Sequence, residues 1–153
     1  MVLSGRTIKR LGIITPCVER AIHQETNTSY GLSPAGYDIR LDQDVTVIPG
    51  LTTLASTIEC FTMPKNIIGV VHDKSTWARR GLAVQNTVIE PGWRGFLTLE
   101  LSYAPSVDAD QARIILRRGT PIAQVIYHYT DEETEGYGDG KYQDQQRGPQ
   151  GAR

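Results

Sequence analysis

The sequence predicts an all-β domain, built of short strands closed into a sandwich or barrel. Three observations carry this expectation. Fifteen glycines and eight prolines interrupt the 153 residues too often for long helices. The apolar runs between them are short and rich in β-branched side chains, as strands are. In one of these runs Leu97, Leu99 and Leu101 alternate with Thr98, Glu100 and Ser102. That is the period of a strand with one buried face.

In chain order, the one helical signal is at the start. Ser4 can cap a short turn over residues 7–11, which Gly12 ends. Strands are expected over residues 37–41, 45–48, 57–61, 67–72, 96–103, 112–116 and 122–129. Pro91-Gly92 reads as a hairpin turn, and residues 107–111 as an enlarged loop. From Asp131 onward apolar content almost vanishes. Residues 1–136 are therefore expected to form one domain, and residues 137–153 a tail that is mobile without ligand. The tail is either a passive end or a lid: Lys141, Tyr142, Gln145 and Arg147 offer donors that could fold over an anion.

Composition narrows the function. A net charge of −1 gives no broad attraction to nucleic acid or to a membrane surface. No run of 18 apolar residues occurs and the first residues lack a signal-peptide pattern, so a cytoplasmic location is expected. Cys17 and Cys60 stand apart and read as reduced, partly buried thiols. His23, His72 and His128 show no ligand spacing, and neither H-x-E nor P-C-x-x-C is present, so no zinc site is expected.

The chemistry concentrates in residues 74–101. Lys74, Ser75, Thr76, Arg79 and Arg80 place two hydroxyls and three cations within seven residues. Such donors suit phosphate oxygens, although a solvated basic turn has the same composition. Glu100 is an acid within an apolar strand, a costly position unless the group is paired or protonated, and so a candidate for proton transfer. Trp93, after the Pro91-Gly92 turn, is either a packing aromatic or a flat wall for a sugar or base. Gln124, inside a strand, serves either a cross-strand hydrogen bond or a ligand.

Three segments together resemble one family. Lys74-Ser75-Thr76-Trp77-Ala78-Arg79-Arg80-Gly81-Leu82, followed by Glu90-Pro91-Gly92-Trp93-Arg94-Gly95-Phe96-Leu97-Thr98-Leu99-Glu100, is similar to dCTP deaminase, of the dUTPase-like superfamily. Ser33-Pro34-Ala35-Gly36-Tyr37-Asp38-Ile39-Arg40 resembles its Ser-x-x-Gly-Tyr-Asp-x-Arg segment. Lys141-Tyr142-Gln143-Asp144-Gln145 resembles its Lys-Tyr-x-x-Gln tail. The resemblance implies a distorted jelly-roll, a dUTPase-like β-clip barrel, assembled as a homotrimer with sites between subunits. It implies zinc-independent hydrolysis of dCTP to dUTP and ammonia, with Mg2+ carried by the triphosphate and dTTP as a candidate inhibitor.

The same resemblance assigns roles. Glu100 would activate water for attack at cytosine C4, with Ser75 and Arg79 against that water. Thr87 and Val88 would hold the base, and Glu90 and Trp93 would meet the deoxyribose. Lys74, Ser75, Thr76, Gln124, Tyr137, Lys141 and Gln145 would contact the rest of the nucleotide. Many members carry Asp where this chain has Glu90. Two alternatives remain: a dUTPase or bifunctional deaminase–diphosphatase, in which Glu90 would activate water at the α-phosphate, and a non-catalytic nucleotide-binding module.

Overall fold

A computed structural model describes residues 1–105 and 112–153. The loop expected to be enlarged, 107–111, lies outside the described residues. The helix is α1, Gly5–Leu11. Ser4 Oγ accepts from Thr7 N–H at 3.4 Å, and Gly12 closes the helix in the left-handed region at φ 64°. This is the capped turn expected from Ser4 and Gly12.

Twelve strands follow among the described residues: β1 Ile14–Thr15, β2 Ala21–His23, β3 Thr28–Ser33, β4 Gly36–Arg40, β5 Val45–Val47, β6 Thr53–Thr62, β7 Ile67–Asp73, β8 Leu82–Val84, β9 Val88–Ile89, β10 Arg94–Tyr103, β11 Ile114–Leu116 and β12 Pro121–Tyr129. One sheet runs β2-β3-β4-β12-β7-β9, a second β1-β6-β10-β8, and a ribbon pairs β11 with β5. All pairings between these strands are antiparallel. The core between them is filled by Tyr37, Ile39, Leu41, Phe61, Ile67, Leu99, Leu101, Val125 and Tyr127, each with no exposed surface. On β10 the leucines are buried while Thr98, Glu100 and Ser102 are half-buried on the opposite face.

Two expectations are corrected. Pro91-Gly92 does not join a hairpin. The turn closes, with Trp93 N–H on Glu90 O at 3.1 Å and Gly92 at φ 77°. Yet β9 pairs with β7, and β10 lies between β6 and β8 in the other sheet. Proline followed by a positive-φ glycine suits a type II turn, whose twist splays the flanking strands. Nor is the start the sole helix: α2, Ser75–Ala78, forms one turn. Trp77 anchors it, 3% exposed, giving its indole N–H to Pro121 O at 2.6 Å.

A charged pair is buried inside the domain. Glu59 on β6 is fully buried and accepts Arg40 N–H at 2.9 Å and Arg40 Nε at 2.8 Å. Burial still pushes its carboxyl above the ordinary range, against the pull of Arg40. The tail lies along β10. Gly95 and Gln145 form a parallel bridge, Phe96 N–H reaches Gln145 O at 3.0 Å, and Trp93 Nε1 reaches Tyr142 O at 2.7 Å. Arg147 stacks over the Phe96 ring and meets Asp42 at 3.5 Å.

Candidate active site in two clefts

The predicted site residues separate into two groups. The first surrounds a cleft of about 360 Å³, within the range of small-molecule sites. Thr87, just before strand β9, Val88 on it, and Glu90 and Trp93 in the turn after it line one side. β10 supplies Thr98 and Glu100, and the tail supplies Tyr137, Tyr142 and Gln145. Glu100 lies opposite Leu54 in the β6–β10 ladder. Its Oε2 is buried and has no hydrogen-bond partner among the described residues, and the same is true of Thr87 Oγ1. Burial raises the Glu100 carboxyl above the ordinary glutamate value, against a smaller pull from its own backbone N–H, and no cation among the described residues offsets it. A base of elevated pKa and an unpaired hydroxyl in one apolar-walled cleft can take a proton and orient a polar ring.

Other members of this group are partly committed. Thr87 O accepts Val71 N–H at 3.0 Å, and Val88 pairs with Val70. Strand β9 is nevertheless the edge of its sheet, so one side of its backbone faces outward. Trp93 is 6% exposed and packs against Phe61 at 6.5 Å between ring centroids, while its remaining surface forms cleft wall. Gln145 is 8% exposed, and its amide donates to Phe96 O at 2.9 Å and Thr98 Oγ1 at 2.8 Å.

The second group surrounds a cleft of about 600 Å³. Lys74, Ser75 and Thr76, at the start of α2, face Gln124 of β12 across it. Lys74 Nζ is 2.7 Å from Asp38 Oδ2, and Ser29 Oγ donates to the same carboxylate at 2.9 Å. Gln124 Nε2 donates to Ser33 Oγ at 3.0 Å and to Ala35 O at 3.3 Å. Its amide thus makes the local bonds while bordering the cleft.

Arg79 and Lys141 border neither cleft. Arg79 ends α2 in an exposed position, and Lys141 Nζ donates to Arg153 O at 2.8 Å. Ser75 and Arg79 are therefore not brought to Glu100 within one chain. Sequence reasoning assigned no role to Asp38, although it is an acid between Tyr37 and Ile39 of β4, the same signal that marked Glu100. Among the described residues no three His, Cys, Asp or Glu side chains converge as a metal-binding group, and Cys17 and Cys60 are free thiols.

Comparison with known proteins adds the following. A family model described as dCTP deaminase-like matches residues 39–130. The dCTP deaminase of Pseudomonas putida (strain W619) is 33% identical over 181 aligned residues, covering 93% of this chain and 94% of that one. The crystal structure of 2'-deoxycytidine 5'-triphosphate deaminase from Agrobacterium tumefaciens matches with a TM-score of 0.66 at 16% identity. The match covers 84% of this chain and 48% of that one, so this chain spans about half its length. The native dUTPase of EIAV matches with a TM-score of 0.55 at 23% identity, over 69% of this chain and 84% of that one. The two structures share the fold.

Proposed function

Because the chain belongs to the dCTP deaminase-like family, we infer that it hydrolyses dCTP to dUTP and ammonia. The observation that carries this reading is Glu100: a carboxylate oxygen buried without a partner among the described residues, in a cleft of about 360 Å³, on a group whose proton affinity burial has raised. Such a base can remove a proton from water as the oxygen attacks C4 of cytosine. It can pass that proton to ring N3, then carry the second proton, from the new C4 hydroxyl, to the exocyclic nitrogen, which leaves as ammonia while the oxygen stays on the ring as a carbonyl. Thr87 and Val88 would border the base, and Glu90 and Trp93 the deoxyribose.

The second cleft supplies what the first lacks. Lys74, Ser75, Thr76 and Gln124 offer donors suited to a triphosphate, and Asp38 holds Lys74 in place. The proposal is that a neighbouring copy presents its α2 segment to the Glu100 cleft, in a homotrimer, so that Ser75 and Arg79 of one copy serve Glu100 of another. Mg2+ would ride on the triphosphate rather than in a protein cage, and zinc has no part in this reading. Asp73, which also borders the second cleft, already accepts Val84 N–H at 2.7 Å. dTTP carries the same sugar and phosphates and is proposed to compete for these contacts. No helix among the described residues is long and apolar enough to cross a membrane, and a cytoplasmic location is proposed.

A second reading has one observation in its favour: Glu90 borders the same cleft as Glu100, where it could serve a diphosphatase step. A single assay separates the two. The protein is incubated with dCTP and magnesium, and ammonia, dUTP, dUMP and pyrophosphate are measured separately. Equal amounts of ammonia and dUTP are expected. Ammonia with dUMP and pyrophosphate would make the enzyme bifunctional, and no ammonia would refute the deaminase reading.

A further inference from the structure

Two hydroxyls outside the expected site hold the end of the chain. Thr98 Oγ1 accepts from Gln145 Nε2 at 2.8 Å and from the Gln150 backbone N–H at 2.9 Å. Ser56, paired with Thr98 across the β6–β10 ladder, accepts Gly148 N–H at 3.1 Å. Gly148 sits in a bend at φ 98°, and Gln150 follows two residues on, so both N–H groups reach hydroxyls on the β6–β10 ladder. A threonine oxygen has two lone pairs, and the tail takes both. Thr98 stands two positions before Glu100 on the same face of β10. Both residues line the 360 Å³ cleft, together with Gln150, Gly151 and Ala152. At Gly95 an added Cβ would lie 2.7 Å from Gln145 N and 2.8 Å from Gln145 O, so the tail approaches where β10 has no side chain.

We propose that Thr98 is a positioning residue for the reaction: its hydroxyl, with Ser56 as the second catch, seats residues 145–152 as a wall of the Glu100 cleft. The seat acts through the tail and touches no reacting atom. Without it, the Gln145 amide loses one of its two acceptors and the Gln150 N–H loses its acceptor, and the segment that closes the cleft beside Glu100 is loosened. Substrate then enters a more open, wetter cleft. The loss should show chiefly in KM, with a smaller change in kcat. The kinetic part of this inference rests on the deaminase reading, whereas the seating of the tail does not.

The test compares full-length wild type, Thr98→Val and Thr98→Ser. Hydrogen exchange is followed in peptides covering residues 143–153 and β10, alongside steady-state kinetics with dCTP and magnesium. Valine matches threonine in shape and removes the acceptor, whereas serine restores it. Losing two hydrogen bonds of ordinary net strength should speed tail exchange by about tenfold or more in Thr98→Val. KM should rise with it, β10 should stay protected, and Thr98→Ser should return both readouts toward wild type. If β10 loses protection in Thr98→Val, Ser56→Ala replaces it, with faster exchange at Gly148 expected. Tail exchange that stays at the wild-type rate, or that is as fast in Thr98→Ser as in Thr98→Val, overturns the proposal. A wild type that releases no ammonia defeats the deaminase reading, and the exchange contrast still decides the seat.

Discussion

Replacing Glu100 with Gln keeps the side chain's volume and planarity and removes its capacity to accept a proton. In the wild type Oε2 is buried without a partner, and burial holds the carboxyl above the ordinary glutamate value of 4.5. If this group activates the attacking water, its loss removes a general acid–base contribution of about 10²–10⁴-fold in turnover, or about 3–5 kcal/mol of barrier. The effect on stability has the opposite sense. A carboxyl whose folded pKa lies above its unfolded value stabilises the fold at low pH, and that contribution is lost as pH rises through the folded pKa. A neutral amide suffers no such loss, so Glu100→Gln should be at least as stable as wild type near neutral pH. The assays are ammonia release under saturating dCTP, calorimetric binding of dCTP to the variant, and thermal unfolding. Retained binding and stability with collapsed turnover is the expected pattern. Near-wild-type turnover would remove Glu100 from the mechanism.

Three further outcomes are expected. Arg40→Met leaves the fully buried Glu59 without its guanidinium, which should cost about 3–5 kcal/mol and lower Tm by on the order of 10 °C in thermal unfolding; an unchanged Tm would show the pair to be dispensable. The kcat/KM for dCTP should rise with pH through the elevated pKa of Glu100, since only the carboxylate can accept a proton, giving an acid limb above 4.5; a flat profile across that range would contradict it. Gly95→Ala sets a Cβ against the Gln145 backbone at a φ of 147°, so the tail should be displaced and trypsin cleavage after Arg147 accelerated; an unchanged cleavage rate would contradict the tail's seat on β10.

Legibility in the sequence followed the reach of each signal. Ser4 and Gly12 mark α1 because caps are local chemistry, and the leucine alternation marks β10 because period two belongs to the strand itself. Short strands such as β9, two residues long, and polar ones such as β3 carry too little pattern to register. Pro91-Gly92 reveals a turn but not its partners, because β9 finds β7 some twenty residues upstream. Glu100 was legible as an acid among leucines; Asp38, an acid between Tyr37 and Ile39, carried the same signal and was given no role. The division into two clefts was not readable from spacing, since between Arg79 and Glu100 the chain leaves the second sheet after β8, joins the first through β9 and returns to the second in β10. The tail's seat escaped because it is made by main-chain N–H groups and amides, which leave no mark in a hydrophobic pattern.

The central claim is that dCTP is deaminated at a site completed by two copies of the chain. Mixing two disabled variants tests it most directly. Glu100→Gln keeps the α2 segment intact, and Arg79→Ala keeps Glu100. Each is purified alone and shown to release little ammonia from dCTP, and the two are then co-expressed in equal amounts so that subunits mix at random. With sites shared between neighbours, a site is intact when one variant supplies Arg79 and the other supplies Glu100, which gives about a quarter of wild-type activity. Ammonia release near that level, with dUTP as the companion product, is the predicted result. A mixture no more active than its parents would contradict the account, because the two functions would then have to reside in the same chain.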